Sequence, residues 1–189
     1  MAQAKFKIQN LKFKIMMRAF RIFFIVILFL LLPQIPFAES SYVLPYPSSM
    51  PGSLSYKFHL VYENFSKYWY FGNFGQFKYN LKMADKYLVE AKTLFEYKQY
   101  LLGFKALQRS NLYFNQVYPH LIEAEKENKS IKNNLLLFKD ASLKHMEVLN
   151  SFKLIVPKIF VWTPEKVPSS TLRLEELIDE SIAIRKNDL

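Results

Sequence analysis

Three histidines, His59, His120 and His145, are the only side chains here that titrate near neutral pH unperturbed, and there is no cysteine. Each histidine lies 25 or more residues from the next, so no helix can offer two of them one turn apart to a metal. The best local constellation is His120 with Glu123 and Glu127, which share a helix face at i, i+3 and i+7. Carboxylate di-metal sites need two Glu-x-x-His pairs and further glutamates. This chain has one such pair in reversed order, so no metal ligand is assigned. His145 sits on the apolar side of a helical pattern. It is expected to be partly buried and bonded to a backbone carbonyl or a hydroxyl. A pH-sensing role would require a carboxylate partner, which the spacing does not identify.

The other signatures of chemistry are missing. The chain contains no G-x-S-x-G, no H-E-x-x-H, no phosphate-binding glycine loop and no dinucleotide fingerprint. Without cysteine it has no disulfide framework, thiolate nucleophile or cysteine zinc site. Acidic residues fall beside lysines, and no pair stands out as a general acid and base. The expectation is a non-enzyme with no catalytic, metal or cofactor-binding residue and no cofactor.

A binding role has one visible carrier. Residues 62–79, YENFSKYWYFGNFGQFKY, hold nine aromatic residues interleaved with Lys67 and Lys78. Such a surface could stack on bases, glycans or peptides. The alternative is that Val61, Phe65 and Tyr68 are core while Tyr62, Trp69 and Tyr70 pack a turn or meet lipid headgroups.

The formal charge of +10 is concentrated at one end. Lys5, Lys7, Lys12, Lys14, Arg18 and Arg21 precede residue 39 with no acid among them. That leaves 26 − 6 = 20 basic residues against 16 acidic ones, or +4, and a nucleic-acid partner is not expected. Behind the basic segment runs IFFIVILFLLL (22–32), followed by Pro33, Pro36 and the small residues FAESS. Basic, apolar and small-residue parts in this order make residues 1–40 a secretory signal peptide or an N-terminal membrane anchor. Cleavage would fall at about Ala38 to Ser40, and both outcomes stay open. Either way the basic start remains cytoplasmic and the rest is exported to the cell envelope, with a protein partner there expected.

The elements that would position these residues follow from periodicity. Residues 41–53 form a Pro-rich extended collar, SYVLPYPSSMPGS, since each proline fixes its own φ and steers the preceding residue from helix. Residues 54–156 carry four stretches with apolar spacings of three and four. The first runs through Leu54, Phe58, Val61, Phe65 and Tyr68 and ends at FGNFG (71–75). The second runs through Phe77, Leu81, Ala84, Leu88, Ala91 and Phe95, with Lys78, Lys82, Asp85, Lys86 and Lys92 on the opposite, solvated face. After a turn at 96–100, the third passes through Tyr100, Gly103, Leu107, Ser110, Phe114, Val117, Leu121 and Ala124, with a kink or break at Pro119. The fourth, capped by Ser130, runs from Ile131 to Val156 through His145. Residues 157–170 read as a Pro-rich extended connector, and 171–189 as a C-terminal helix whose Glu175–Glu176 and Asp179–Glu180 face solvent. The fold class is all-α: an antiparallel up-and-down bundle of about four helices with an amphipathic helix appended. The helical hairpins look like tetratricopeptide repeats, but no second copy appears at the required period.

The collar YVLPYP and the helix motif L-x-x-A-D-K-x-L-x-E-A-x-x-L (81–94) resemble an exported bacterial domain-of-unknown-function family, numbered five-six-six-seven, or a near relative in candidate-phylum bacteria. Tyr42, Leu44, Pro45, Tyr46, Pro47, Pro51, Tyr56, Ala84, Asp85, Lys86, Leu88, Glu90 and Ala91 carry the resemblance over about a third of the chain. Phe58 and SSM (48–50) depart from its pattern at the turn into the first helix. The resemblance implies an exported, often membrane-attached helical module and brings no catalytic residue. Tyr42, Tyr46 and Tyr56 are expected to fasten the collar to the bundle. The functional expectation is an envelope interaction or scaffold module; the alternative is a sensor bundle binding a peptide, glycan or metal at its aromatic hairpin.

Overall fold

The computed structural model divides into two compact units, Met1–Ala38 and Glu39–Leu189. Residues 17, 20, 21, 41–47, 51, 54–166, 168–187 and 189 are described. The apolar run, the cleavage site, residues 48–50 and Gly52–Ser53 lie outside the described residues. In the first unit Met17, Phe20 and Arg21 are helical.

The second unit is mostly helical. Its elements are α1 (Leu54–Ser66) with a 3-10 turn (Lys67–Trp69), α2 (Gly72–Glu96), α3 (Tyr100–Phe114), α4 (Val117–Lys126), α5 (Lys132–Ile155), β1 (Ile159–Trp162), β2 (Ser170–Arg173) and α6 (Leu174–Lys186). Among the described residues no helix is long and apolar enough to cross a membrane.

Helix α2 organises the fold, packing against α3, α4 and α5. Fourteen of its 25 residues are buried, so it is a central helix whose solvated face is narrowed to a strip carrying Lys78, Lys82 and Lys92. Phe77, Leu81, Ala84, Leu88, Ala91 and Phe95 are all core, as the periodicity requires. Of the residues expected on the solvated face, Lys78, Lys82 and Lys92 are exposed, whereas Asp85 is buried and Lys86 half-buried. Gly103 lets α3 approach closely: a Cβ there would stand 2.5 Å from the Phe95 ring.

The breaks have local causes. Gly72, at φ +68, turns the chain into α2, so α2 starts inside FGNFG instead of after it. Lys98, at φ 59, makes the tight turn between α2 and α3. The third apolar stretch is two helices, α3 and α4, broken at Asn115–Gln116. Pro119 falls in the first turn of α4, where its missing N–H costs no helical bond. The N-cap of α5 is Ile131, without a side-chain cap, so Ser130 does not take that role. Val156 is extended ahead of Pro157 and closes α5.

The stretch read as a connector holds a sheet. Strands β1 and β2 pair antiparallel, with Phe160 opposite Leu172 and both turned to the core. Pro157, Pro164 and Pro168 lie outside the two strands, so none removes a ladder hydrogen bond. Thr171–Arg173 therefore belong to β2 and the last helix begins at Leu174. That helix is not appended: α6 packs on α3 and α5 and buries Leu174, Leu177, Ile178, Ser181 and Arg185. Glu176, Asp179 and Glu180 face solvent as expected, with Glu175 half-buried.

Among the described residues two apolar clusters make the core. One joins Leu88, Ala91, Phe95, Leu107, Leu149, Phe152, Leu174 and Ile178; the other joins Phe77, Leu81, Phe114, Leu121 and Phe138. Each fully buried Leu or Phe contributes about 1.5–3 kcal/mol. On α2, α3 and α5 the residues between the two clusters are polar: Asp85, Ser110 with Asn111, and Ser142 with His145. Ser181 and Arg185 of α6 join them.

Candidate functional site

The polar layer is a chain of hydrogen bonds centred on His145, which is fully buried. Its Nε2 lies 2.7 Å from Asp85 Oδ1, and Arg185 Nε donates to its Nδ1 over 3.2 Å. A guanidinium has only donors, so Nδ1 must accept and the proton sits on Nε2, donated to Asp85. The ring is a neutral bridge between a carboxylate and a guanidinium. Burial first, and then the Arg185 charge, hold the His145 pKa below its ordinary value, against the opposing pull of Asp85. Burial likewise depresses Arg185. Its remaining donors reach Asn111 Oδ1 (2.6 Å), the Ser181 carbonyl (2.9 Å) and Ser110 Oγ (2.8 Å). The guanidinium lies 4.8 Å from the Phe114 ring centroid.

The collar enters this layer. Tyr42 donates its hydroxyl to Asp85 Oδ2 at 2.5 Å, and Leu44 packs on the larger apolar cluster. Burial beside a carboxylate raises the phenol's pKa, so Tyr42 stays a donor. Tyr56 is the second fastener, donating to Glu90 Oε1 at 2.9 Å. Tyr46 is 93% exposed and fastens nothing to the core, a correction to the expected three-tyrosine grip. Pro45 is exposed, while Pro47 and Pro51 are half-buried. Sequence-distant motif residues therefore meet in pairs, Tyr42 with Asp85 and Tyr56 with Glu90, while Ala84 and Leu88 supply core contacts.

An Asp–His pair could serve as a general base, which must reach its substrate's proton within hydrogen-bonding distance. His145 has no exposure and both ring nitrogens are engaged, so this pair holds helices together. The expectation of a carbonyl or hydroxyl partner for His145 is corrected: its partners are ionic, and they come from α2 and α6.

Beside this layer a second polar cluster ties α1 to α2. Buried Glu63 pairs with Lys86 and accepts from Tyr87 Oη at 2.9 Å. Its carbonyl accepts from Tyr79 Oη at 3.1 Å. Tyr87 and Tyr113 stack at 5.7 Å, with the Arg109 guanidinium 5.5 Å from the Tyr87 centroid. Glu63, Tyr87, Arg109 and Tyr113, with Leu60 and Leu112, line a half-open cleft of about 340 Å³. Arg109 bonds the Tyr56 hydroxyl at 3.2 Å and makes no ion pair among the described residues. Glu90 Oε2 is buried without a hydrogen-bond partner, and burial raises the Glu90 pKa.

Because its polar side is held inward, α1 shows its apolar side to solvent. Phe58, Val61, Tyr62 and Phe65, at i, i+3, i+4 and i+7, form one outward stripe, and Tyr68, Trp69 and Phe71 extend it. Phe58 is 75%, Tyr68 73% and Phe71 83% exposed. The periodicity was right and the direction was reversed: Phe58, Val61, Phe65 and Tyr68 are not core, and for Leu54 only the backbone is described. Tyr70 packs on Tyr79, and Tyr62 meets Trp69 edge to face at 5.9 Å. Leu154, Ile155, Ile159 and Val161 are exposed as well.

No protein-family model matches this chain, and no curated protein or solved structure does.

The residues with expected metal spacing do not converge. His120 Nδ1 lies 3.4 Å from Asn73 Oδ1, Glu127 accepts from Asn73 Nδ2, and Glu123 pairs with Lys126. Among the described residues no three His, Asp or Glu side chains gather to hold a metal ion.

Sequence reasoning missed Arg185, Glu63 and the burial of Asp85. The signal was available on α2, where Tyr79, Met83, Tyr87 and Val89 make the supposed solvent side apolar too.

Proposed function

We propose that this chain is an exported helical module of the cell envelope that acts by docking other components rather than by catalysis. Its N-terminal leader anchors it or is removed, and its helices form an antiparallel bundle. The resemblance to the exported domain-of-unknown-function family belongs to this reading, with Tyr42, Tyr56, Asp85, Lys86 and Glu90 as its structural core. The observation that carries it is α1: a helix fixed by buried polar contacts that turns seven large apolar side chains, counted through the following turn, to solvent. Contiguous exposed apolar surface of this kind marks an interaction site.

The test is a photo-crosslinking amino acid placed at Phe65 and, as control, at exposed Lys82 of α2. In the native envelope, position 65 should give defined adducts and position 82 none. Equal absence at both positions would refute the docking reading.

A second reading, a ligand-binding bundle, is favoured by Arg109 in the cleft, a cation that makes no close ion pair among the described residues and lies over a stacked tyrosine pair. Calorimetry with carboxylate-bearing peptides and glycans tests it. Heat that disappears in Arg109→Gln would promote it above docking.

A further inference from the structure

We infer that the aromatic face of α1 lies in the headgroup region of an anionic lipid bilayer; this rests on the docking reading and names its partner. Three observations select lipid. First, the stripe mixes Phe58, Val61 and Phe65 with Tyr62, Tyr68 and Trp69, whose rings join an apolar body to a polar tip. Trp and Tyr concentrate at the boundary between water and hydrocarbon for that reason.

Second, the exposed charges within α1 and the turn that follows it are of one sign. Between residues 54 and 71 the only acid is Glu63, and it is buried against Lys86. Lys57 and Lys67 are exposed. An apolar face flanked by exposed lysines on its own segment suits an anionic surface, where each lysine near the headgroups adds to binding. A second copy of the chain would bring the same like-charged lysines, Lys57 and Lys67, to the other side of the interface, a repulsion that disfavours self-association through this face.

Third, the inner side of α1 cannot be exchanged for the outer one. Tyr56, Glu63 and Ser66 are buried, and Tyr56 and Glu63 are tied to Glu90, Lys86 and Tyr87. Turning the helix over would bury the aromatic stripe only by stripping these polar contacts. The exposed face is thus built into the fold, and exposed Leu112, beside the cleft, extends its apolar rim.

The experiment uses the full chain carrying Trp162→Phe, which leaves Trp69 as the sole tryptophan. The protein is reconstituted into phosphatidylcholine vesicles with and without phosphatidylglycerol, each with lipids brominated just below the headgroup. Trp69 fluorescence should be quenched by the brominated lipid and shielded from aqueous iodide, more so with phosphatidylglycerol. Phe65→Asp/Tyr68→Asp should abolish the quenching with helicity unchanged, and Lys57→Gln/Lys67→Gln should reduce the phosphatidylglycerol effect to what the unchanged basic leader supplies. Equal quenching with and without phosphatidylglycerol overturns the anionic assignment. Trp69 open to iodide in both vesicles overturns the lipid assignment altogether. In that event a single protein adduct from the crosslinker at position 65 leaves docking standing with a protein partner, whereas no adduct removes both readings.

Discussion

Replacing His145 by glutamine tests the polar layer through proton linkage. Glutamine can still accept from Arg185 and donate to Asp85, but it does not titrate. In the native protein the His145 pKa is held below its ordinary 6.5 by burial and by Arg185. As pH falls through 6.5 the unfolded chain takes up a proton that the folded chain refuses. Stability from this group is therefore complete above about pH 6.5 and declines below it. One proton costs at most ~1.4 kcal/mol per pH unit, so the ceiling between pH 6.5 and 5.0 is about 2 kcal/mol. Urea titrations followed by circular dichroism, run from pH 5.0 to 8.0 on wild type and His145→Gln, give the two stability curves. Their difference cancels the other titrating groups, including His120, which is depressed in the same direction, and Glu90, which works oppositely. The difference should be flat above pH 6.5 and shift against wild type by up to about 2 kcal/mol at pH 5.0. Parallel curves, or a wild type that gains stability relative to the variant as pH falls, would mean an imidazolium in the folded state and refute the neutral bridge.

Further perturbations separate the remaining contacts. Tyr42→Phe removes the hydroxyl that caps Asp85 and should cost about 1.5–3 kcal/mol in urea unfolding, whereas Tyr46→Ala should stay within ~0.5 kcal/mol. Glu90→Gln keeps the bond from Tyr56. The raised Glu90 pKa means that the folded chain holds its proton after the unfolded chain has released it, so native stability falls as pH rises from 4.5. The variant should therefore gain on wild type between pH 4.5 and 7.5, read as a widening gap in urea midpoints. Gly103→Ala drives a methyl against the Phe95 ring and should cost about 1–3 kcal/mol, seen as a lowered melting temperature.

Much of the fold is legible in the sequence because core spacing and helix breaks are local signals. The α2 and α5 stripes and the turn at 96–100 follow from side-chain periods and chain stiffness alone. The hairpin was hidden by its prolines, whose number reads as connector although their positions spare both strands. The polar layer was illegible for a different reason. Asp85, His145 and Arg185 look like ordinary surface or half-buried positions on three separate helices, and only tertiary packing reveals that they neutralise one another. Helix α1 shows the limit of periodicity most plainly. A 3.6-residue stripe states that a helix has two faces, and it does not state which of them looks inward. There the buried face is the one carrying Tyr56 and Glu63, because their hydrogen-bonding partners already stand on α2.

The Tyr42–Asp85–His145–Arg185 chain also bears on the order of folding. Its links span 43, 60 and 40 residues, so no hairpin closes any of them locally. Long-range closures of this kind slow folding. A growing polypeptide that has made α2 and α5 but not residue 185 would bury Asp85 and His145 without the guanidinium that completes them. The polar layer between the two apolar clusters is thus complete only once α6 has arrived and its last turn brings Arg185 to His145.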